Sequence, residues 1–157
     1  MSEFDFSDHS LVAVVEYLRR HGFFENLAAV VRRIIEEALK QRQIKVHSVQ
    51  SRAKDASSFG AKAALPSDSD PTRPKYEKPL EQITDLAGIR VITFFPGTVS
   101  EIDEVIQQQF SVIERYNIRR RPDRRGQVWI SEYPLSSSVI SAALNPARIS
   151  GLSRLDR

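Results

Sequence analysis

From Leu11 to Arg42 the apolar residues recur every three or four positions, a spacing that commits the first quarter of the chain to helix. The pattern divides at His21-Gly22. The first piece presents Leu11, Val14, Val15 and Leu18 on one face, and the second presents Phe24, Leu27, Val31, Ile34, Ile35, Ala38 and Leu39. Two amphipathic helices are expected, each needing an apolar surface to pack on.

Shorter segments of a different period supply that surface. Residues 44–49 (IKVHSV) alternate apolar and polar positions with β-branched Ile44, Val46 and Val49, which predicts a half-buried strand. Residues 55–64, rich in Ala and Ser, read as a short helix capped by Asp55. Residues 65–79 carry four Pro and alternating charges, and read as a loop. Residues 89–95 (IRVITFF) form a strand that follows Gly88 and is closed by Pro96-Gly97. Residues 99–108 place Val99, Ile102, Val105 and Ile106 on one helical face, with Ser100 and acidic residues in the first turn. Residues 110–116 read as a third strand.

This order predicts an α/β (mixed α+β) domain, a small, mainly mixed sheet with flanking helices. Beyond residue 128 no helix or strand longer than a few residues is expected, and a sheet of three strands buries little. The expected organisation is therefore a tail over 1–9, a partial domain over 10–120 that is incomplete at its C-terminal end, and an irregular basic tail over 121–157.

Composition narrows the chemistry. The 157 residues allow one domain. Residues 1–116 hold fifteen basic and seventeen acidic side chains, whereas 117–157 hold eight and three, so the net charge of +3 comes from the last quarter. With no Cys there is no disulfide, thiol nucleophile or thiolate metal site, and three scattered His do not make a zinc centre. The amino terminus lacks a basic start followed by an apolar run, and no apolar stretch reaches the ~20 residues of a membrane helix. A cytoplasmic protein without membrane contact is expected.

Two segments carry candidate chemistry. In 51–62 (SRAKDASSFGAK), Arg52 and Lys54 lie two apart on an extended exit from a strand, and Ser57, Ser58 and Lys62 follow near a helix start. Cations and donors converging in this way suit phosphate, although a solvated basic turn has the same pattern. A Walker-type glycine loop is absent, which excludes an ordinary P-loop enzyme. In 83–92 (ITDLAGIRVI), Asp85 stands at a strand entrance, Gly88 permits an unusual backbone entry, and Arg90 interrupts the apolar strand. Such an Asp can hold Mg²⁺ shared with substrate phosphates, or it can pair structurally with Arg90. The Arg cluster at 119–125 lacks interleaved aromatic residues for base stacking.

Together these segments resemble the synthetase domain of the RelA/SpoT family, most closely the small alarmone synthetases, which are GTP pyrophosphokinases. IKVHSVQSRAK resembles the family's first strand and the basic R-x-K segment after it. Ser58 and Lys62 fall where the family has its next Ser and Lys, and ITDLAGIRVI resembles its D-L-x-G-x-R signature. The resemblance covers roughly residues 10–116 and implies a nucleotidyltransferase-like fold. It also implies transfer of pyrophosphate from ATP to the 3′-hydroxyl of GDP or GTP, with release of AMP. Arg52, Lys54, Ser58 and Lys62 would bind ATP, Asp85 would hold Mg²⁺ as the catalytic metal ligand, and Arg90 would support the phosphate site. Asp55, beside Lys54, departs from what a phosphate site favours.

A larger departure follows. The family's G-x-F-G-Y-x-S-x-H-Y segment, whose Tyr stacks on guanine, and its E-x-Q-x-R-T strand, whose Glu serves the acceptor, do not occur here; 126–135 reads GQVWISEYPL. The codons allowed for 126–138 permit G-R-F-G-Y-Q-S-I-H-Y one base later, with Trp129 forcing the central Gly. The expectation is a frameshift near Gly126 and a chain with the ATP half of the site and no guanine half, impaired as an enzyme. The rival readings are a non-catalytic nucleotide-binding module or a homo-oligomerising one, and, ranked below both, an RNA-binding domain; nucleic acid is not an expected partner.

Overall fold

A computed structural model describes residues 4–110, 116–123 and 126–135. The elements run α1 (Phe6–Gln41), β1 (Ser48–Ala53), α2 (Ala56–Ala63), α3 (Pro79–Gln82), β2 (Ala87–Thr93), α4 (Pro96–Gln109), β3 (Tyr116–Asp123) and β4 (Gly126–Leu135). The four strands form one sheet in the order β1-β2-β4-β3. The mixed α/β class holds, but every pairing is antiparallel where a mainly mixed sheet was expected.

The two expected N-terminal helices are one. α1 runs 36 residues through Gly22, capped by Asp5, whose carboxylate accepts the N–H groups of Ser7 and Asp8. Gly22 costs about 1 kcal/mol in a helix interior, which packing along the whole length offsets. Continuity also fixes which face is buried. Phe24, Leu27, Val31, Ile35 and Leu39 form the core line as expected, and the same phase carried back buries Ala13 and Tyr17. Leu11, Val15 and Leu18, expected on the packing face, are exposed at 62%, 44% and 54%, while Val14 is partly buried.

The first strand begins at Ser48, four residues later than expected. Ile44 and Val46 pack against the core from the approach to β1, and pairing is announced by the His47 N–H donating to Ile92 O at 2.8 Å. The short helix is as expected, with the Asp55 carboxylate accepting the Ser58 N–H at 3.0 Å. β2 starts two residues before the expected strand and takes in Gly88. α4 starts at Pro96, with proline in its first turn and no side-chain cap; Ser100 lies inside it. Of the strand expected over 110–116, residues 111–115 lie outside the described residues, and β3 begins at Tyr116.

The text expected to be irregular beyond 120 contains the end of β3 and the whole of β4. β4 has little strict alternation, but its backbone finds an open ladder on β2, with pairings from Ala87↔Leu135 to Thr93↔Trp129. The boundary expected at 120 falls within β3. The tail beyond 135 lies outside the described residues.

Helices α1 and α4 cover one face of the sheet, where Val49, Ile89, Val91 and Tyr133 meet Val31, Ile35, Ile102 and Ile106 in a single core. Two polar contacts lock the layers together. The Tyr133 hydroxyl donates to Asp103 on α4, and the Ser10 hydroxyl donates to Gly60 O at 2.8 Å, drawing α2 onto α1. No helix among the described residues is long and apolar enough to cross a membrane.

Candidate anion site at the β1–β2 end of the sheet

On the sheet face opposite the helices, directly paired residues share a side: Gln50 with Arg90, Arg52 with Gly88, Arg90 with Glu132 and Gly88 with Pro134. These side chains, together with Lys54 and Asp85 at the strand ends, line a cleft of about 120 Å³. Gly88 forms part of its floor. A Cβ there would meet Tyr133 O at 3.7 Å, an ordinary contact, so glycine keeps the floor low rather than relieving a clash.

Three elements bring the principal charges together. Lys54 leaves β1 with its N–H donated to Leu86 O at 2.8 Å, Lys62 sits in the last turn of α2, and Asp85 precedes β2. The Lys54 ammonium lies 2.7 Å from Asp85 Oδ2, and the Lys62 ammonium 2.9 Å from Oδ1. Burial alone would raise the Asp85 carboxyl, but hydrogen bonds from Lys54 and Lys62 and their charges outweigh it and hold the group below the usual carboxylate range. Asp85 is thus a carboxylate with an ammonium on each oxygen.

The backbone under these groups is fixed from behind. Tyr17 of α1 is fully buried, stacks on Phe59 of α2 at 4.5 Å between ring centroids, and directs its hydroxyl to Lys54 O at 2.5 Å and Leu86 O at 3.2 Å. One side chain therefore holds the exit of β1 against the entrance of β2. Eight residues before Tyr17, in the first turn of α1, the His9 ring contacts Tyr76 O at 2.9 Å and pins the proline-containing loop.

Of the residues singled out in the sequence, Lys54, Lys62 and Asp85 converge. Arg90 lies in the cleft, but its partner is Glu132 of β4, with Nε 2.7 Å from Oε1, and not Asp85. Arg52 is exposed on the cleft wall and makes no ion pair among the described residues. Ser58 is exposed at the start of α2 with its N–H bound to Asp55, away from the residues that line the cleft. Asp55 turns its charge to the cap, where the Ser57 hydroxyl and the Ser58 N–H hold its carboxyl below the usual range. Sequence reasoning missed Tyr17 and Glu132. The only signal for Tyr17 was its place seven residues before Phe24, and Glu132 gave none.

Lys54, Arg52 and Arg90 line the cleft and Lys62 meets them at Asp85, so four cations stand against the carboxylates of Asp85 and Glu132, a positive balance that suits a compact anion with several oxygens, such as a phosphate chain. Among the described residues there is no group of three His, Asp or Glu side chains that could hold a metal by themselves. Asp85 could serve a hydrated Mg²⁺ as a single carboxylate ligand only by giving up a contact to Lys54 or Lys62, since each of its oxygens already accepts from an ammonium group. Compared with family models, with curated proteins and with solved structures, the chain matches none.

Proposed function

We propose that this chain carries the ATP half of a RelA/SpoT-type alarmone synthetase site and binds the triphosphate of ATP in the cleft on the face of β1, β2 and β4. The observation that carries this reading is the convergence of Lys54, Lys62 and Asp85 from three separate elements on one point at the cleft. Arg52 and Arg90 lie on the adjoining strands, where they can neutralise further phosphate oxygens. In the reaction of that family, pyrophosphate passes from ATP to the 3′-hydroxyl of GDP or GTP, and catalysis of this kind is chiefly positioning and charge neutralisation. Mg²⁺, shared between Asp85 and the phosphates, would supply further neutralisation. Lys54, Lys62 and Arg52 bind and orient the phosphate chain, and Tyr17 keeps their backbone in place.

The family's acceptor-side motifs do not occur in 126–135, where β4 runs instead, and on this reading a frameshift near Gly126 is the origin of that text. Without a guanine platform or the acceptor-side Glu, bound ATP faces no oriented hydroxyl, so ATP binding with little or no synthetase turnover is the expected behaviour. Purified protein incubated with ATP, GDP and Mg²⁺ should bind ATP in equilibrium dialysis and yield no appreciable AMP or guanosine tetraphosphate. Robust turnover would overturn the claim of inactivity, and absence of ATP binding would overturn the site. For the frameshift, the test is the nucleotide sequence of codons 116–157, which must restore the missing motifs one base later.

A second reading, a non-catalytic module that joins copies of itself, draws on the exposed Leu11, Val12, Val15, Leu18, Phe23 and Val30 of α1. Light scattering across a concentration series would reveal it as a rising mass.

A further inference from the structure

We propose that Asp85 is a built-in competitor for the cleft's anion, occupying Lys54 and Lys62 until a polyphosphate replaces it; this rests on reading the cleft as a polyphosphate site. Both carboxylate oxygens are spent on the two ammonium groups, at 2.7 and 2.9 Å. The three side chains are only 17% (Lys54), 31% (Lys62) and 32% (Asp85) exposed, so the contacts are neither buried beyond reach nor fully screened by water. An incoming phosphate meets a pair of cations already satisfied by an acid that belongs to the chain. It must displace that acid and then sit beside its unpaired negative charge.

Two consequences follow from the charges. Removing the carboxylate's charge leaves two ammonium groups facing one another with no counter-anion, which disfavours the empty protein and favours the anion-bound one. A divalent cation that takes Asp85 has the same effect without mutation, because it draws off the competitor and gives the phosphate a second positive neighbour. Cation and polyphosphate then assist each other's binding, each by the same factor. On this view Asp85 keeps the site closed to bare anions and open to those that arrive with a divalent cation. Glu132 stands in the same relation to Arg90 on the neighbouring strand.

The experiment uses inorganic tripolyphosphate as the probe, with calorimetry and thermal melting as readouts. In EDTA, Asp85→Asn should bind the probe about tenfold or more tightly than the unmodified chain and gain more in melting temperature from it. Asp85→Ala, checked by circular dichroism, provides a second route should the amide disturb the loop, and Asp85→Glu should return the affinity towards that of the unmodified chain. Asp70→Asn, at an exposed loop carboxylate bonded to Thr72, controls for net charge and should leave the affinity unchanged. Added Mg²⁺ should tighten binding to the unmodified chain and not to Asp85→Asn. Equal or weaker metal-free binding by both Asp85→Asn and Asp85→Ala overturns the competitor role while leaving the polyphosphate site standing. If no protein binds the probe with or without Mg²⁺, the polyphosphate reading falls, and the proposal with it.

Discussion

Tyr17 on α1 reaches through the core to the main-chain oxygen of Lys54, 2.5 Å from its hydroxyl, and so ties the longest helix to the backbone beneath the cleft. Replacing it with Phe keeps the stacking on Phe59 and removes the one O–H shared between the carbonyls of Lys54 and Leu86, of which Leu86 O keeps the Lys54 N–H. The expected loss is about 1–3 kcal/mol of stability in urea denaturation at neutral pH. The variant should also bind tripolyphosphate more weakly, since Lys54 is then less firmly placed.

The same hydroxyl gives a pH signature. Burial is the main cause that pushes Tyr17 from 10.0 up to about 12. A group that holds its proton more tightly when folded contributes stability that is fully present below its unfolded value, near 10, and lost as pH rises through the folded value, near 12. Stability of the unmodified chain should therefore fall across that interval. The Phe variant should show a shallower fall, and identical slopes in the two proteins would contradict the buried phenol.

Gly22 lies within α1, and a Cβ added there meets nothing within 4 Å. Gly22→Ala should stabilise the protein by about 0.5–1 kcal/mol, because the helix is continuous and alanine is the better helix former. A chain broken at His21-Gly22 would lose stability or stay unchanged in the same thermal melt.

Gly60 behaves in the opposite way. Its added Cβ would lie 2.8 Å from Val14 Cγ2 and 3.3 Å from Ser10 Oγ, and Val14 is stiff at χ1. Gly60→Ala should cost about 1–3 kcal/mol despite its gain in helix propensity. Val14→Ala should relieve the clash, so that the double variant is more stable than additivity predicts. Strict additivity would show that α2 does not sit on α1 at this point.

Arg90 and Glu132 are 42 positions apart in sequence and paired across β2 and β4. A double-mutant cycle with Arg90→Met and Glu132→Gln should give a coupling of about 1 kcal/mol, modest because both groups touch solvent. A coupling of zero would place β4 in another register.

The N-terminal helical quarter and the residue types that meet at the cleft were legible from the sequence, and their geometry was not. Periodicity located α1 but misjudged Gly22, since a local penalty of about 1 kcal/mol is small against the packing of Phe24, Val31 and Tyr17 on one continuous line. It also misjudged the buried face, because the first half of α1 is apolar on two sides and only its phase with the second half decides between them. Lys54, Lys62 and Asp85 stood out as residue types, yet separations of 31 and 23 positions do not say that both lysines share one carboxylate. β4 was missed because its side chains carry no strong pattern and a proline, Pro134, near its end. Its place comes from backbone groups on β2 that need partners.

The strand order has a consequence for the order of synthesis. Among the described residues β4 is the last strand made and stands between β2 and β3, so β2 keeps one bare edge until residues 126–135 have emerged. Before β4 arrives, β1 and β2 form a two-stranded ribbon that has only α1 and its neighbours to pack on, and among the described strands β3 pairs with β4 alone. Closure is therefore late and non-local, and the growing chain presents an unpaired β2 edge to other chains while it waits. The ten residues of β4, the least patterned of the strands, thus decide when the nascent protein stops being prone to aggregation.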